Sequence, residues 1–331
     1  MKKKKFDLKK FTSSREMSLL LILIVLSIFI QIRNNTFLSL TNVNDLITNA
    51  VMMGILAIGM MFVLLIGGID ISIGSTIAFS GMAVALMLRS NSGIPTVFSF
   101  TLGILIGSAC GFIIGLIISK GHVLPIIATL GLMNIYRGAT YLIAKNQWVA
   151  AYQLPEGLKT FAKGKLFGIN NMIVVAIVIY VIFAYFIKFT RTGRKIYAVG
   201  SNPDAASLSG INIGNIKLLV YTIMGALSGL VGILWISKYA SAQGDAASGI
   251  EMDVIAACVI GGVSLNGGKG TVFGVLLGTI TLGILNNALP LINISPFWQD
   301  GIKGLVIILA IIINIITARS INRKNLRRRE I

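Results

Sequence analysis

The sequence predicts an all-α polytopic membrane protein of about ten transmembrane helices, some of them short or re-entrant. Three observations lead there. Of 331 residues, 55% are hydrophobic and only 12% are charged. That is about half the charged share of a soluble domain, too little to build a soluble surface. Apolar runs of about 20 residues, the length that crosses a bilayer as a helix, recur along the whole chain. The basic residues stand beside those runs. The formal net charge is +18, with Lys and Arg clustered in 1–16, 188–195 and 319–329. Basic clusters flanking spans are what the positive-inside rule expects, and they argue against a nucleic-acid partner.

Taken in order, residues 1–16 form a basic tail. "MKKKKFDLKKF" and the apolar run Met17–Ile32 resemble the first two regions of a signal peptide. The run ends in "IQIRNN", without a small-residue cleavage pattern, so it reads as an uncleaved first span. Further spans are expected at 47–67, 75–90, 97–119, 125–144, 170–188, 216–238, 253–265, 270–288 and 298–317. The segment 253–265 is too short to cross alone. It reads as a half-helix or re-entrant piece, tolerated only where protein or cavity water meets its backbone. Residues 17–318 then make one transmembrane domain, and 319–331 a second basic tail. With both termini inside, tails and inner loops hold 20 of the 29 Lys and Arg. The outer loops hold seven: Arg33, Arg89, Lys145, Lys159, Lys163, Lys165 and Lys238. The outer loop 145–169, with four of them, runs against the trend.

Small residues mark where helices meet. Gly103, Gly107, Gly111 and Gly115 fall four apart, a flat stripe for close helix packing, and Gly225 with Gly229 and Gly274 with Gly278 repeat it. "IGGIDISIGSTIAF" (66–79) aligns without gaps with "IGGVSLNGGKGTVF" (260–273). Interrupted, glycine-rich segments at matching places in two halves point toward the functional centre of a transporter. Cys110 and Cys258 lie in apolar runs and read as small buried side chains. His122 has no partner at ligand spacing, so no metal site is expected.

"GGVSLNGGKG" invites a P-loop reading and fails it. Val263 stands where the first glycine belongs, and Gly270 replaces the hydroxyl residue that would hold magnesium. No other GK[ST] occurs. Any energy from ATP must therefore come from another subunit. In "FTRTGRKIYAVGSNPDAASLSGINIG" (189–214), Asn202 suits an N-cap, Pro203 the first helical turn and Gly210 the C′ position. A short helix over 203–209 on the cytoplasmic face follows. Two readings are open for it: a connector, or a docking helix for a cytoplasmic partner.

Five ordered blocks now carry a resemblance: "GGIDISIGS", "PIIATLGLMNIYRG" (125–138), "TRTGRKIYAVGSNPDAASLSGI" (190–211), "IAACVIGGVSLNGGKGTVFGVLLG" (255–278) and "FWQDGIKGLVIILA" (297–310). From about residue 45 onward the chain resembles the membrane permease subunits of bacterial ABC sugar importers of the ribose type. "IYRGATYLIAKNQWVAAYQLP" leans toward the rhamnose and autoinducer-2 branches. The resemblance implies a permease domain (17–318) in the bacterial cytoplasmic membrane. It implies a separate ABC ATPase that binds ATP and magnesium, with no cofactor on this chain. It also implies an extracytoplasmic sugar-binding protein and a second permease copy or sister permease. The coupling segment for the ATPase would be Asn202, Pro203, Asp204, Ala205, Ala206, Ser207, Leu208 and Gly210.

Within that frame Asp70 stands out, following an uncharged run from Leu46 to Ile69. A carboxylate at the bilayer centre costs on the order of 2.5–3.5 kcal/mol on insertion scales. Either backbone N–H groups at the start of the third span satisfy it, or it faces the sugar pathway or gate, or it is buried and protonated. Arg137, deep in the fifth span with Asn134 one turn before it, either pairs with carbonyls or a carboxylate or lines the pathway. Pathway or gate candidates are thus Asp70, Ser72, Asn134, Arg137, Asn266 and Asn287. Asn266, Asn286 and Asn287 suit hydrogen bonding to a polyol, or equally between helices. Asp245, Glu251 and Asp253, expected at the outer end of spans seven and eight, would meet the binding protein or solvent. The competing function is an ion-gradient-driven secondary transporter with Asp70 as its ion site. An enzyme is not expected, because no nucleophile–base or metal constellation is present.

Overall fold

The computed structural model describes residues 15–295 and scattered positions between 298 and 312. The expected tenth span, 298–317, and the N-terminal basic tail lie mostly outside the described residues, and the C-terminal basic tail lies wholly outside them. The described helices are α1 (Arg15–Arg33), α2 (Leu40–Leu65), α3 (Ile73–Ser90), α4 (Thr96–Lys120), α5 (Pro125–Ala144), α6 (Glu156–Lys163), α7 (Asn171–Phe189), α8 (Arg191–Ser201), α9 (Pro203–Leu208), α10 (Ile213–Tyr239), α11 (Ile250–Ile260) and α12 (Val272–Leu291). One two-stranded antiparallel hairpin, β1 (Lys165–Leu166) and β2 (Ile169–Asn170), precedes α7. Seven of the helices, α2, α3, α4, α5, α7, α10 and α12, are long and apolar enough to cross a membrane. The chain is a polytopic all-helical membrane protein.

Side chains set the helix starts. Ser39 Oγ accepts from Asn42 N–H ahead of α2, Asn170 Oδ1 accepts from Met172 N–H ahead of α7, and Thr271 Oγ1 accepts from Gly274 N–H ahead of α12. Such caps satisfy donors that the first turn leaves free. Pro125 opens α5, where its missing N–H costs nothing.

The core centres on α2, whose residues from Ala50 to Leu65 are all buried. Around it pack α10, α12, α7 and α11. The glycine stripes do the work of close approach. A Cβ on Gly107 would fall on the Gly225 carbonyl, and one on Gly229 on the Gly103 carbonyl. Helices α4 and α10 therefore touch backbone to backbone, the geometry that small residues permit in a bilayer. Helix α7 is apolar on all sides, with only Met172 and Ile187 buried. Its exposed surface has the character of a lipid-facing helix.

The lysine-rich segment 145–169 folds into its own cap. Leu158 and Ala162 of α6 are buried, and Ser237 Oγ of α10 donates to Leu158 O while accepting from Ala162 N–H. Lys159 pairs with Glu156 at 2.5 Å. Lys159 and Lys163 thus ride on a short amphipathic helix, while Lys145 caps the end of α5 and Lys165 lies in β1.

Two expectations need correction. The eighth span is shorter than expected and lies earlier: helix α11 has 11 residues, beginning at Ile250 and ending at Ile260. Residues 240–249 reach it as non-helical chain. The internal echo is also real in geometry but one residue out of register. Helix α2 closes with Gly67 N–H bonded to Leu64 O and Gly68 N–H to Val63 O, and α11 with Gly262 N–H to Val259 O and Val263 N–H to Cys258 O. This is the Schellman pattern, with a left-handed residue at C′: Gly67 at φ 74° and Gly262 at φ 94°. The ungapped alignment paired Gly67 with Gly261 instead. Helix packing, not sequence identity, sets the equivalence.

Replacing Gly107 by leucine should wedge α4 from α10 and lower the thermal unfolding midpoint of the purified protein, in line with the roughly 1–3 kcal/mol or more of core overpacking. Gly131→Ala, where nothing lies within 4 Å of a new Cβ, should leave the midpoint unchanged.

Candidate functional site

Helices α8 and α9 form a short polar bridge between the spans α7 and α10. Thr190 Oγ1 caps α8 by accepting from Gly193 N–H at 3.0 Å. At Asn202 the backbone turns extended (φ −159°), which ends α8 and starts α9. Asn202 Oδ1 accepts from Ala205 N–H at 3.0 Å, and Pro203 fills the first turn. The end is closed by Gly210 N–H to Ser207 O and Ile211 N–H to Ala206 O, with Gly210 at φ 77°. The helix is Pro203–Leu208, one residue shorter than expected. Only Ala206 is buried; Asn202, Pro203, Asp204, Ala205, Ser207, Leu208 and Gly210 are exposed. Leu208 is 92% exposed, a large apolar side chain standing on a polar bridge.

The far end of α8 rests on the end of α2 and on the loop 264–270. A Cβ on Gly200 would fall on the Leu65 carbonyl, the last residue of α2. That carbonyl accepts from Gly268 N–H at 2.9 Å. Tyr197 Oη donates to Gly270 O at 2.7 Å. Burial holds the Tyr197 phenol above its ordinary pKa, so it remains a donor. Three segments far apart in sequence thus meet at one backbone junction: the end of α2, the end of α8 and the loop 264–270.

Beyond the first turn lies Asp70, 1% exposed. Its Oδ1 accepts from Ser72 N–H at 2.9 Å and from Ser72 Oγ at 2.6 Å. Ser72 O in turn accepts from Ser75 Oγ at 2.8 Å and Thr76 Oγ1 at 3.1 Å. The side chains of the segment itself satisfy the interruption before α3, as buried polar groups require.

Residues 240–249, ahead of α11, are clamped from α5. Arg137 Nη1 donates to Gly244 O at 2.8 Å and to Ala246 O at 2.9 Å. Ala242 pairs with Val149 through two backbone bonds of 3.0 Å. The Ala247 carbonyl and the Glu251 carboxylate lie against Gly74 at the start of α3. The segment 240–249 and the start of α11 therefore touch the first turn of α3.

The remaining sequence candidates scatter. Asn134 is exposed on α5 and donates to Leu130 O. Asn266 is exposed in the loop 264–270, where its N–H donates to Ser264 Oγ. Asn287 exchanges two amide bonds of 3.0 Å with Asn42, tying α12 to α2. Of the three acids, Asp245 is exposed beside Tyr239, Glu251 packs on Gly74, and Asp253 lines a cavity of about 840 Å³ that shares Trp235, Tyr239, Ala247 and Ser248 with the hollow beside Asp245. Sequence reasoning missed that cavity. It is bounded by α2, α10, α11 and α12, and its polar walls include Asn49, Trp235, Tyr239 and Asn286. Only the tertiary fold brings these residues together.

A bundle of membrane-crossing helices with two glycine-terminated interruptions that touch each other has the architecture of a transporter. The chain belongs to the family described as branched-chain amino acid transport system / permease component, which it matches over residues 42–311. It is similar to the ribose import permease protein RbsC of Bacillus subtilis (strain 168), with 37% identity over 292 residues, 88% of this chain and 90% of that one. It is 31% identical over 294 residues to the L-arabinose ABC transporter permease protein AraH of Azospirillum brasilense, covering 89% and 86% of the two chains. The autoinducer 2 import system permease protein LsrC of Salmonella typhi is 31% identical over 323 residues, covering 98% and 92%. No solved structure is significantly similar to the chain.

Arg137→Gln should release 240–249. Hydrogen–deuterium exchange should show the amides of that segment exchanging at least several-fold faster than in the wild type, while those of 66–72 are unchanged. Equal rates in 240–249 would show that the clamp is not what holds the segment.

Proposed function

We propose that this chain is the transmembrane permease subunit of an ABC importer and forms the translocation pathway for a monosaccharide or related small polyol. A separate cytoplasmic ATPase subunit drives it, binding ATP and magnesium that this chain does not bind. The observation that carries the reading is α9: a capped six-residue helix that buries Ala206 alone and offers Leu208 to a partner. Its supporting helix α8 is wedged against the end of α2 and the loop 264–270, so a pull on α9 is delivered to both together. Asn202, Pro203 and Gly210 shape the segment, and Asp204, Ala205, Ser207 and Leu208 present its surface.

The names of the similar permeases support a sugar or sugar-like cargo. The basic residues Lys188, Arg191, Arg194 and Lys195 stand beside α9, which supports a cytoplasmic α9 and cytoplasmic termini by the positive-inside rule. The protein is thereby assigned to the bacterial cytoplasmic membrane. An extracytoplasmic binding protein would dock at the opposite end, where Asp245 is exposed. A second permease copy or sister permease would complete the pathway, and the exposed face of α5, with Asn134, is available to it. Asp70 and Ser72 act as positioning residues at the interruption before α3, and Arg137 acts as one for the segment 240–249 ahead of α11. The two bonds from Ser72 to Asp70 Oδ1 support a positioning role for this carboxylate.

Uptake into proteoliposomes tests the reading. D-ribose and related sugars should accumulate only when a separate ATPase subunit and ATP are present, and Ala206→Glu should abolish both uptake and recovery of the ATPase with the permease. Uptake by this chain alone, driven by a proton or sodium gradient, would overturn the reading.

A further inference from the structure

The turn between β1 and β2 carries a residue that turn geometry disfavours. Leu166 pairs with Ile169 and Lys165 with Asn170, which leaves Phe167 and Gly168 as a two-residue turn. Both have positive φ, 52° and 81°. This is the arrangement of a type I′ hairpin turn, whose first position favours Asn, Asp or Gly. A bulky side chain is an outlier there. Phe167 is 95% exposed, and Leu166 and Ile169 beside it are exposed as well. Lys163 and Lys165 flank this apolar tip. Both are exposed, and among the described residues neither has an ion-pair partner.

The hairpin is fixed to the first turn of α7. Asn171 N–H donates to Gly164 O at 2.9 Å, Asn171 Nδ2 to Phe161 O at 3.0 Å, and Asn170 Nδ2 to Ala162 O at 2.8 Å. Only Met172 and Ile187 of α7 are buried, so the tip stands at the lipid-facing rim of the bundle. The two ends of α7 match. At the end that leads into α8, Tyr185 and Phe189 are exposed with ring centroids 5.2 Å apart, and Lys188 Nζ lies over the Phe189 ring at 5.4 Å. Aromatic residues and lysines anchor a span at the level of the lipid head groups. Helix α7 has 19 residues, a rise of about 28 Å, close to the roughly 30 Å hydrocarbon thickness of a bilayer. With Tyr185, Lys188 and Phe189 at one headgroup level, the hairpin tip falls at the other.

We infer that the β1–β2 hairpin is a membrane anchor for the leaflet opposite α9, selective for anionic phospholipid. Leu166, Phe167 and Ile169 enter the boundary between head groups and acyl chains, and Lys163 and Lys165 pair with the lipid phosphates. The anchor accounts for lysines on the face where the positive-inside rule expects few. It also reaches the bundle: Leu158 and Ala162 of α6 are bonded to Ser237, so lipid held at the hairpin steadies the end of α10. The inference depends on neither the cargo nor the ATPase of the transport reading.

The test uses the full chain in nanodiscs. Leu166→Cys carries a bimane fluorophore; Cys110 and Cys258 are buried, so the label reports the tip. Phosphatidylcholine bearing a nitroxide near the head of its acyl chain should quench the label, and aqueous iodide should not. Phe167→Asn, which suits the turn, should keep the fold and reverse that order. With the nitroxide carried by phosphatidylglycerol at the same mole fraction, quenching should be severalfold stronger. Lys163→Gln with Lys165→Gln should remove the difference, as should about 1 M salt. Quenching by iodide alone would put the tip in water, and shielding from both quenchers would put it against protein; either result overturns the anchor. Equal quenching by the two lipids would overturn the pairing with anionic head groups.

Discussion

A backbone that breaks inside a membrane domain must find every hydrogen-bond partner within the protein, because hydrocarbon offers none. That constraint governs this molecule. Helix α2 stops at Leu65 and helix α3 begins only at Ile73; helix α11 stops at Ile260 and helix α12 begins at Val272. Each stop is closed by the same pattern of amide-to-carbonyl bonds around a left-handed glycine. Between α2 and α3 the side chains of Asp70, Ser72, Ser75 and Thr76 take up what the backbone leaves. Before α11 the guanidinium of Arg137 does so, by holding two carbonyls. Of the two charges that looked most costly in the sequence, Asp70 thus supports the first interruption and Arg137 fixes the chain that leads into α11.

The interruptions are also mechanically connected. On one side the Leu65 carbonyl, Gly200 and Gly268 meet with no side chain between them. On the other, the Ala247 carbonyl lies against Gly74. Backbone contacts of this kind transmit displacement with little loss, since a packed backbone has few ways to yield. A partner that moves α9 moves α8, and α8 cannot shift without shifting the end of α2 and the loop 264–270. The glycine-lined seam between α4 and α10 supplies the stiff frame against which that shift occurs. The cavity wall at 247–250 belongs to the same chain of contacts, through the segment that runs from 247 into α11.

Much of this was legible in the sequence, for definite reasons. Membrane spans are long, apolar and nearly free of charge, so their existence follows from composition. The cap at Asn202, Pro203 and the turn at Gly210 obey local rules and placed α9 within one residue. The stripe of glycines four apart foretold the α4–α10 contact. What stayed hidden depends on tertiary contact. The short helix α11 was displaced in the reading because its non-helical approach, 240–249, is held by Arg137 from a different helix. The repeat was aligned one residue out because glycine pairs at 67–68 and 261–262 look alike, although only Gly67 and Gly262 take the left-handed conformation. Gly200 and Tyr197 carried no local sign of importance, and Asn49, Trp235 and Asn286 converge only once three helices are packed.

The central claim is that α8 delivers the motion of α9 to both interruptions through direct backbone contact. The most direct measurement is the number of sugar molecules imported per ATP hydrolysed, in proteoliposomes, for Gly200→Ala beside the wild type, with thermal unfolding matched. The account predicts that ATP hydrolysis continues while the ratio falls severalfold, because the added methyl forces α8 off the Leu65 carbonyl. A ratio equal to that of the wild type would contradict it.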